Sequence, residues 1–305
     1  MGRRSARKDE GRFVIEGVNL LEEALAAQAL IEAVYVDGEW AGRAGDANDR
    51  PGPQDRHDPG QTGPGQGAPQ RSGQDIEGQG RLGGLLQRCS ELGVRVFELG
   101  PGVLARVAGT VTPQPVVAVV GTPRSQLADV QVAAPQLVLV CVDVRDPGNA
   151  GTVVRSAWAA AADAVVFCEG TVDPWNPKAV RSSAGAVFHI PIVEAGPAPL
   201  VLEELGAWGL HRLGAVRDGG TDYAAIDLTL ASALIFGNEA AGLAVERLGT
   251  NLDALISIPM PGGAESLNVG MAAAVLCFEA ARQRRYGPPP IPRQEPAGTG
   301  KLGGK

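Results

Sequence analysis

Three glycine-rich segments carry polar residues of the kind that do chemistry, and each follows a stretch predicted to be a strand. The first, DVRDPGNAGTVVRSAW (143–158), holds Asn149 at a predicted helix mouth and Arg155 about two turns further on. An asparagine there caps a helix or faces a ligand, and an arginine there is a surface charge or grips a phosphate through its planar fork. The second, FGNEAAGL (236–243), holds Gly237, which lets a backbone approach a ligand closely, and Glu239 at the strand-to-helix turn. The third, SIPMPGGAESLNVGMAAAVLCFEA (257–280), is a tight loop leading to a helix expected to start near Ser266, with Ser266 and Asn268 in its first turn. Open α/β sheets bind ligands at the carboxyl ends of their strands, where all three segments lie.

Several other chemistries are excluded by pattern. There is no G-x-x-x-x-G-K-[ST] phosphate loop, no G-x-G-x-x-G after a strand and no G-x-S-x-G elbow. Cys89, Cys141, Cys168 and Cys277 are scattered, and the only histidines are His57, His189 and His211. Zinc sites usually need close ligand pairs, so reduced thiols, a cytoplasmic protein and no bound metal are expected.

The elements that must position these segments follow from hydrophobic patterning. LVLVCVDV reads as a buried parallel strand, followed by a helix at 150–162, the strand AVVFCE, and helices near 177–184 and 199–207. Strands at 212–216, 233–237 and 255–259 and a helix at 267–284 complete a mostly parallel α/β sheet. Before it, residues 11–121 alternate helices (18–28, 82–92, 103–107) with strands (33–36, 94–99, 116–120) as a smaller α/β module. Residues 41–80 hold ten glycines and five prolines, with Ile76 the only large aliphatic. Such a stretch cannot bury enough surface to offset its ordering entropy, so it reads as a disordered insertion. Residues 1–10 read as a basic tail, 122–135 as a linker and 287–305 as a flexible tail.

The 305 residues carry 27 basic and 34 acidic side chains, a formal net of −7. An acidic total argues weakly against nucleic acid, but the charge is uneven. Residues 1–12 carry five basic side chains against two acidic ones; Lys178 with Arg181, and Arg282 with Arg284 and Arg285, form further clusters. No run reaches the ~20 apolar residues of a membrane span, and the N-terminus lacks the apolar core of a secretory signal.

Taken together, DPGNAGTVVRSA, FGNEAAGL and IPMPGGAESLNVGMAAAV resemble the three ordered motifs of the SpoU (TrmH-like) RNA ribose methyltransferases of the SPOUT superfamily. VDPWNPKAVRSSAGAVFHIPI resembles the stretch between motifs one and two. More weakly, GRFVIEGVNLLEEAL and TPQPVVAVV resemble the family's ribosomal-protein-like substrate-binding domain. The resemblance implies a methyltransferase domain over 136–286 with a deep trefoil knot, after an RNA-binding domain over 11–121 interrupted at 41–80. It implies S-adenosylmethionine as cofactor, held by Gly237, Ile258, Met260 and Leu267, and a homodimer. Asn149, Arg155, Glu239, Ser266 and Asn268 match the family's polar active-site positions, and Lys178 and Arg181 would bind substrate. The implied reaction is methyl transfer to a ribose 2′-hydroxyl, most naturally of large-subunit ribosomal RNA and at guanosine. A tRNA enzyme, an antibiotic-resistance rRNA methyltransferase and a non-catalytic RNA-binding protein are the alternatives. In the family the motif-one arginine is proposed as base. A guanidinium normally stays protonated, so Arg155 also suits a phosphate-binding role.

Overall fold

The computed structural model describes residues 4–38, 73–100, 102–107 and 114–287. Most of the expected insertion, all but the first residue of the expected C-terminal tail and the first three residues lie outside the described residues. The chain forms two compact units, and their boundaries cross the sequence. One comprises Met1–Ser125, Asp146–Arg155 and Val172–Ile192; the other comprises Gln126–Arg145, Ser156–Thr171 and Val193–Lys305.

The first unit contains a four-stranded sheet in the order β1 (Arg12–Glu16), β4 (Val116–Gly121), β2 (Ile31–Asp37) and β3 (Arg95–Leu99). β4 runs antiparallel to both neighbours, and β2 pairs parallel with β3. Helix α2 (Val18–Ala26) forms because Leu20, Leu21, Ala24 and Leu25 make one buried stripe. Helix α3 (Gly73–Glu91) starts nine residues before the expected Leu82, so the last part of the expected insertion is helical. The short helix α4 (Val103–Val107) lies where the sequence predicts it.

Residues 4–10 are not a solvated tail. They form helix α1 (Arg4–Glu10), and Arg7 is only 4% exposed. Its Nε donates to Asp173 Oδ2 at 2.8 Å, and a second guanidinium nitrogen contacts the same oxygen. Asp173 also accepts from the Trp175 N–H at 2.8 Å. A buried charge is tolerated only when paired and hydrogen-bonded, and Asp173 supplies that pairing for an arginine that the sequence places in a basic tail. Beside it, Phe13 of β1 packs on Trp175 (centroids 4.9 Å apart) and Phe188 (6.0 Å). Strand β1 itself was not predicted; the buried Phe13 and Ile15 alternate with the more exposed Arg12, Val14 and Glu16.

The second unit contains a seven-stranded sheet. Its order is β7 (Ile192–Glu194), β6 (Ala164–Phe167), β5 (Leu137–Cys141), β10 (Ser232–Phe236), β8 (His211–Ala215), β11 (Ala254–Ser257) and β9 (Thr221–Asp222). The pairings of β5 with β6 and β10, of β8 with β10 and β11, and of β9 with β11 are all parallel. Every residue of β5 and β10 is buried, as continuous apolar runs require. Helix α5 (Leu127–Val132) occupies the stretch expected to be a linker; Gln126 and Asp129 form its capping box. Helix α8 (Ala198–Ala207) sends Val201, Leu202 and Leu205 into the core with Val138, Val140 and Ile235. Helix α6 (Pro147–Ala159) is continuous across the boundary of the two units. Helix α7 (Pro177–Ser182) belongs to the first unit, α9 (Val245–Leu248) to the second, and α10 (Val269–Tyr286) closes the described chain.

Burial surrounds all four free cysteines. It raises the Cys168 and Cys277 pKa values to about 12 and that of Cys141 further. No described helix is long and apolar enough to cross a membrane, and no described cluster of three or more His, Cys, Asp or Glu residues could hold a metal ion.

Two contacts tie distant elements of the second unit. The fully buried Gln283 of α10 accepts from the Leu228 N–H (2.8 Å) and donates to the Ile226 carbonyl (3.0 Å) and Glu279 (2.9 Å). Arg212 of β8 grips Asp253, just before β11, through Nε (2.8 Å) and a terminal nitrogen (2.7 Å). Gln283→Leu should cost about 2 kcal/mol or more, since it strands two backbone groups; an unchanged denaturant midpoint would show that water satisfies them. The hydrogen bond from Arg212 holds the Asp253 carboxyl at a pKa of about 2, below its ordinary 3.8. A depressed carboxylate stabilises the fold above its unfolded pKa and loses that contribution on protonation. Asp253→Asn should therefore be less stable than the parent at neutral pH. The gap should close as pH falls from 3.8 towards about 2, and a pH-independent difference would refute the linkage.

Candidate active site

The loop after β10, which carries Gly237 and Glu239, is braced by the loop after its neighbour β5. After β5, Asp143 adopts a left-handed backbone conformation (φ 59°), one that aspartate tolerates better than most residues. Its N–H donates to Thr171 Oγ1 at 3.2 Å, and its carbonyl accepts from Asn238 Nδ2 at 3.1 Å. The Arg145 N–H donates to both carboxylate oxygens of Glu239, at 3.0 and 3.2 Å. The loops following β5 and β10 are thus joined by backbone-directed hydrogen bonds.

The loop after β10 differs from the expected strand-to-helix turn. Asn238 and Gly242 bond reciprocally through their backbones (3.0 and 2.9 Å), and Asn238 Oδ1 accepts from the Ala240 and Ala241 N–H groups. No helix starts until Val245, so Glu239 caps none; Asn238 organises the turn instead. A Cβ on Gly237 would lie 2.5 Å from Gly242 and Leu243 backbone atoms. The backbone that Gly237 admits is the chain's own.

A cavity of about 460 Å³ lies among the carboxyl ends of β8, β10 and β11. Gly237, Glu239, Ile258, Met260, Ser266 and Leu267, all named from sequence, line it together. Asn268 is not among its lining residues. It is the N-cap of α10, accepting from the Gly270 N–H at 2.9 Å, and its neighbours Leu267 and Val269 line the cavity. The helix thus starts at Val269, and Ser266 lies in the loop before it rather than in its first turn.

Sequence reasoning missed one wall of this cavity. Ala215 at the end of β8 and Val216, Arg217 and Asp218 just after it also line it, with Glu265 from the third segment. Arg217 Nε pairs with Asp218 at 2.7 Å, which raises the guanidinium pKa. The signal was available in principle: a strand lying between β10 and β11 must end between their loops. Apolar walls (Ile256, Ile258, Leu276) with a few polar groups, at this size, suit a small organic ligand.

Asn149 and Arg155 belong to the first unit and are not among the residues lining the cavity. Asn149 does not cap α6. Pro147 opens the helix, and Asp146 is the cap, accepting from the Asn149 N–H at 3.0 Å. Asp146 also binds Lys178 Nζ at 2.7 Å, and that bond is the main cause of its lowered pKa. Arg155 is exposed on α6. Arg181 sits 3.4 Å from Glu16, so both candidate substrate-binding cations already face a carboxylate.

Residues 136–278 match the SpoU rRNA Methylase family. The chain is 32% identical to the 23S rRNA (guanosine(2553)-2′-O)-methyltransferase RlmP of Bacillus subtilis over 89% of each protein. The chain belongs to the SpoU rRNA methylase family. It is also 36% identical to the 23S rRNA (uridine(2479)-2′-O)-methyltransferase of Streptomyces viridochromogenes, over 57% of this chain and 62% of that one. Among solved structures, the SpoU methyltransferase AviRb of the same organism, in complex with the cofactor AdoMet, superposes with a TM-score of 0.71 at 27% identity. That match covers 94% of this chain and 95% of the other.

In this SpoU chain, Gly237→Ala should force the Gly242–Leu243 backbone to move. Overpacking of this kind costs about 1 to 3 kcal/mol. A variant melting at the parent's temperature would mean that the turn shifts freely.

Proposed function

We propose that this protein transfers the methyl group of S-adenosylmethionine to a ribose 2′-hydroxyl of structured RNA, with large-subunit ribosomal RNA as substrate and guanosine as the favoured nucleoside. The observation that carries this reading is the single cavity shared by Gly237, Glu239, Ile258, Met260, Ser266 and Leu267. Its size and mixed lining fit the cofactor. Ile258, Met260 and Leu267 supply apolar contact for its adenosine, and Arg217, Asp218 and Glu265 supply charged groups for its amino-acid end. The bound donor supplies an activated methyl group on a sulfonium.

The residues of this chain have the remaining work. The hydroxyl must be aligned and must lose its proton. Glu239 is held by the Arg145 N–H and so keeps the motif-two loop fixed to the end of β5. Asn268 fixes the start of α10, and with it Leu267. Asn149 and Arg155 are assigned to the RNA side of the reaction; Arg155 either takes the proton or holds the adjacent phosphate. Lys178 and Arg181 are assigned to substrate binding, where phosphate would compete with Asp146 and Glu16 for them.

Three further features belong to the same reading. The N-terminal sheet serves as the RNA-binding domain. The C-terminal part of the second unit is assigned the trefoil knot; in it α10 packs against β10 and is tied by Gln283 to the loop preceding that strand. The protein acts as a cytoplasmic homodimer; in support, α10 exposes Met271 (60%) and Phe278 (52%) two turns apart.

Purified protein should bind S-adenosylmethionine by calorimetry and should protect one nucleotide of large-subunit rRNA from alkaline cleavage. Failure to bind the cofactor would favour a non-catalytic RNA-binding protein. Arg155→Lys keeps the charge and loses the fork; its single-turnover rate should fall about 10²-fold or more. A full rate would remove Arg155 from both roles.

A further inference from the structure

The two faces of the first unit's sheet are unlike. Phe13, Ile15, Val34, Val36, Ala118 and Val120 share one face through their strand registers, and none is more than 1% exposed. The alternate residues point to the other face. There Tyr35 and Phe97 sit opposite each other on β2 and β3, their rings stacked with centroids 5.4 Å apart and planes 19° apart. Phe97 lies on the edge strand and leaves 41% of its surface to solvent. The exposed Arg95, two residues back on the same face, holds its guanidinium carbon 5.9 Å from the Phe97 centroid.

A cross-strand aromatic pair stabilises a sheet by itself. An exposed ring such as that of Phe97, with an arginine beside it, does something more: it offers a π-face for a base and a cation for the phosphate next to it. Proteins recognise RNA in unpaired segments by stacking splayed bases on aromatic and guanidinium planes. The chain has only 13 aromatic residues in 305, so a half-exposed stacked pair is a costly use of them.

We propose that the Tyr35–Phe97–Arg95 face is a stacking subsite for an unpaired nucleotide of the RNA substrate. It rests on the reading of the protein as an RNA-acting enzyme and adds a site that grips RNA outside the cofactor cavity. It acts on binding and leaves the methyl transfer itself untouched.

The test uses the full chain and a short fluorescein-labelled oligoadenylate as probe, with melting temperature and sedimentation as controls. Phe97→Ala should weaken binding about tenfold, the scale of one lost base–aromatic stack, and Phe97→Trp should restore it. Arg95→Gln should flatten the dependence of log affinity on log salt by roughly 0.7, the share of one single-strand phosphate contact. With rRNA as substrate, Phe97→Ala should raise KM and leave the single-turnover rate at saturating RNA unchanged. Parent-like affinity in a folded Phe97→Ala variant overturns the proposal, as does failure of Phe97→Trp to restore binding. A change of oligomeric state in Phe97→Ala also overturns it, because a second copy would then be the occupant. If the parent binds the probe but methylates no RNA, the enzymatic reading fails while the subsite stands.

Discussion

The parallel pairing of β5 with β10 at the middle of the large sheet is the constraint on which the site depends. Parallel neighbours end on the same side, so the loops after Cys141 and Phe236 emerge together. Each strand is buried along its length and cannot slip by one residue without turning apolar side chains the wrong way. Within that frame, Asn238 reaches the Asp143 carbonyl and Glu239 reaches the Arg145 N–H. β8 and β11 continue the sheet on the far side of β10 and bring two more loops to the same edge.

The polar residues in these loops mostly shape backbone. Asn238 holds its own turn, Asn268 opens α10, Asp146 opens α6, and Glu239 accepts a backbone N–H. The turn that lines the cavity is thus held in place by its own Asn238, which lowers the cost of ordering it on binding. The same economy explains Gly237: any side chain there would displace the turn that Asn238 organises.

The middle of the large sheet was legible because β5, β6 and β10 are short, almost wholly apolar runs buried along their length. The element ends were less so. The helix after β5 begins at Pro147, since Asp146 caps it and proline at the first position needs no partner for a missing N–H; the Asp-Pro-Gly run reads equally as a turn. The final helix begins at Val269 because Asn268, not Ser266, accepts from its first turn. At the site, Gly237, Glu239 and Ser266 stood out from their glycine-rich surroundings, whereas Ile258, Met260 and Leu267 were named only through the family resemblance. The Ala215–Asp218 wall was not recognisable: AVRDGG looks like an ordinary loop until β8 is known to lie between β10 and β11.

By itself, the chain's order of residues determined which segments are buried strands, which loops are glycine-rich and polar, and which chemistry those loops share with a methyltransferase family. These are local properties, set by hydrophobic period, turn residues and motif spacing. Tertiary structure alone decided that Arg7, in a cluster that looks solvated, would be buried against Asp173, 166 residues away. It alone placed the loop after β8 in the cavity wall and Tyr35 beside Phe97. Each of these depends on contacts between residues far apart in sequence, and no local pattern encodes which distant partner a side chain will meet.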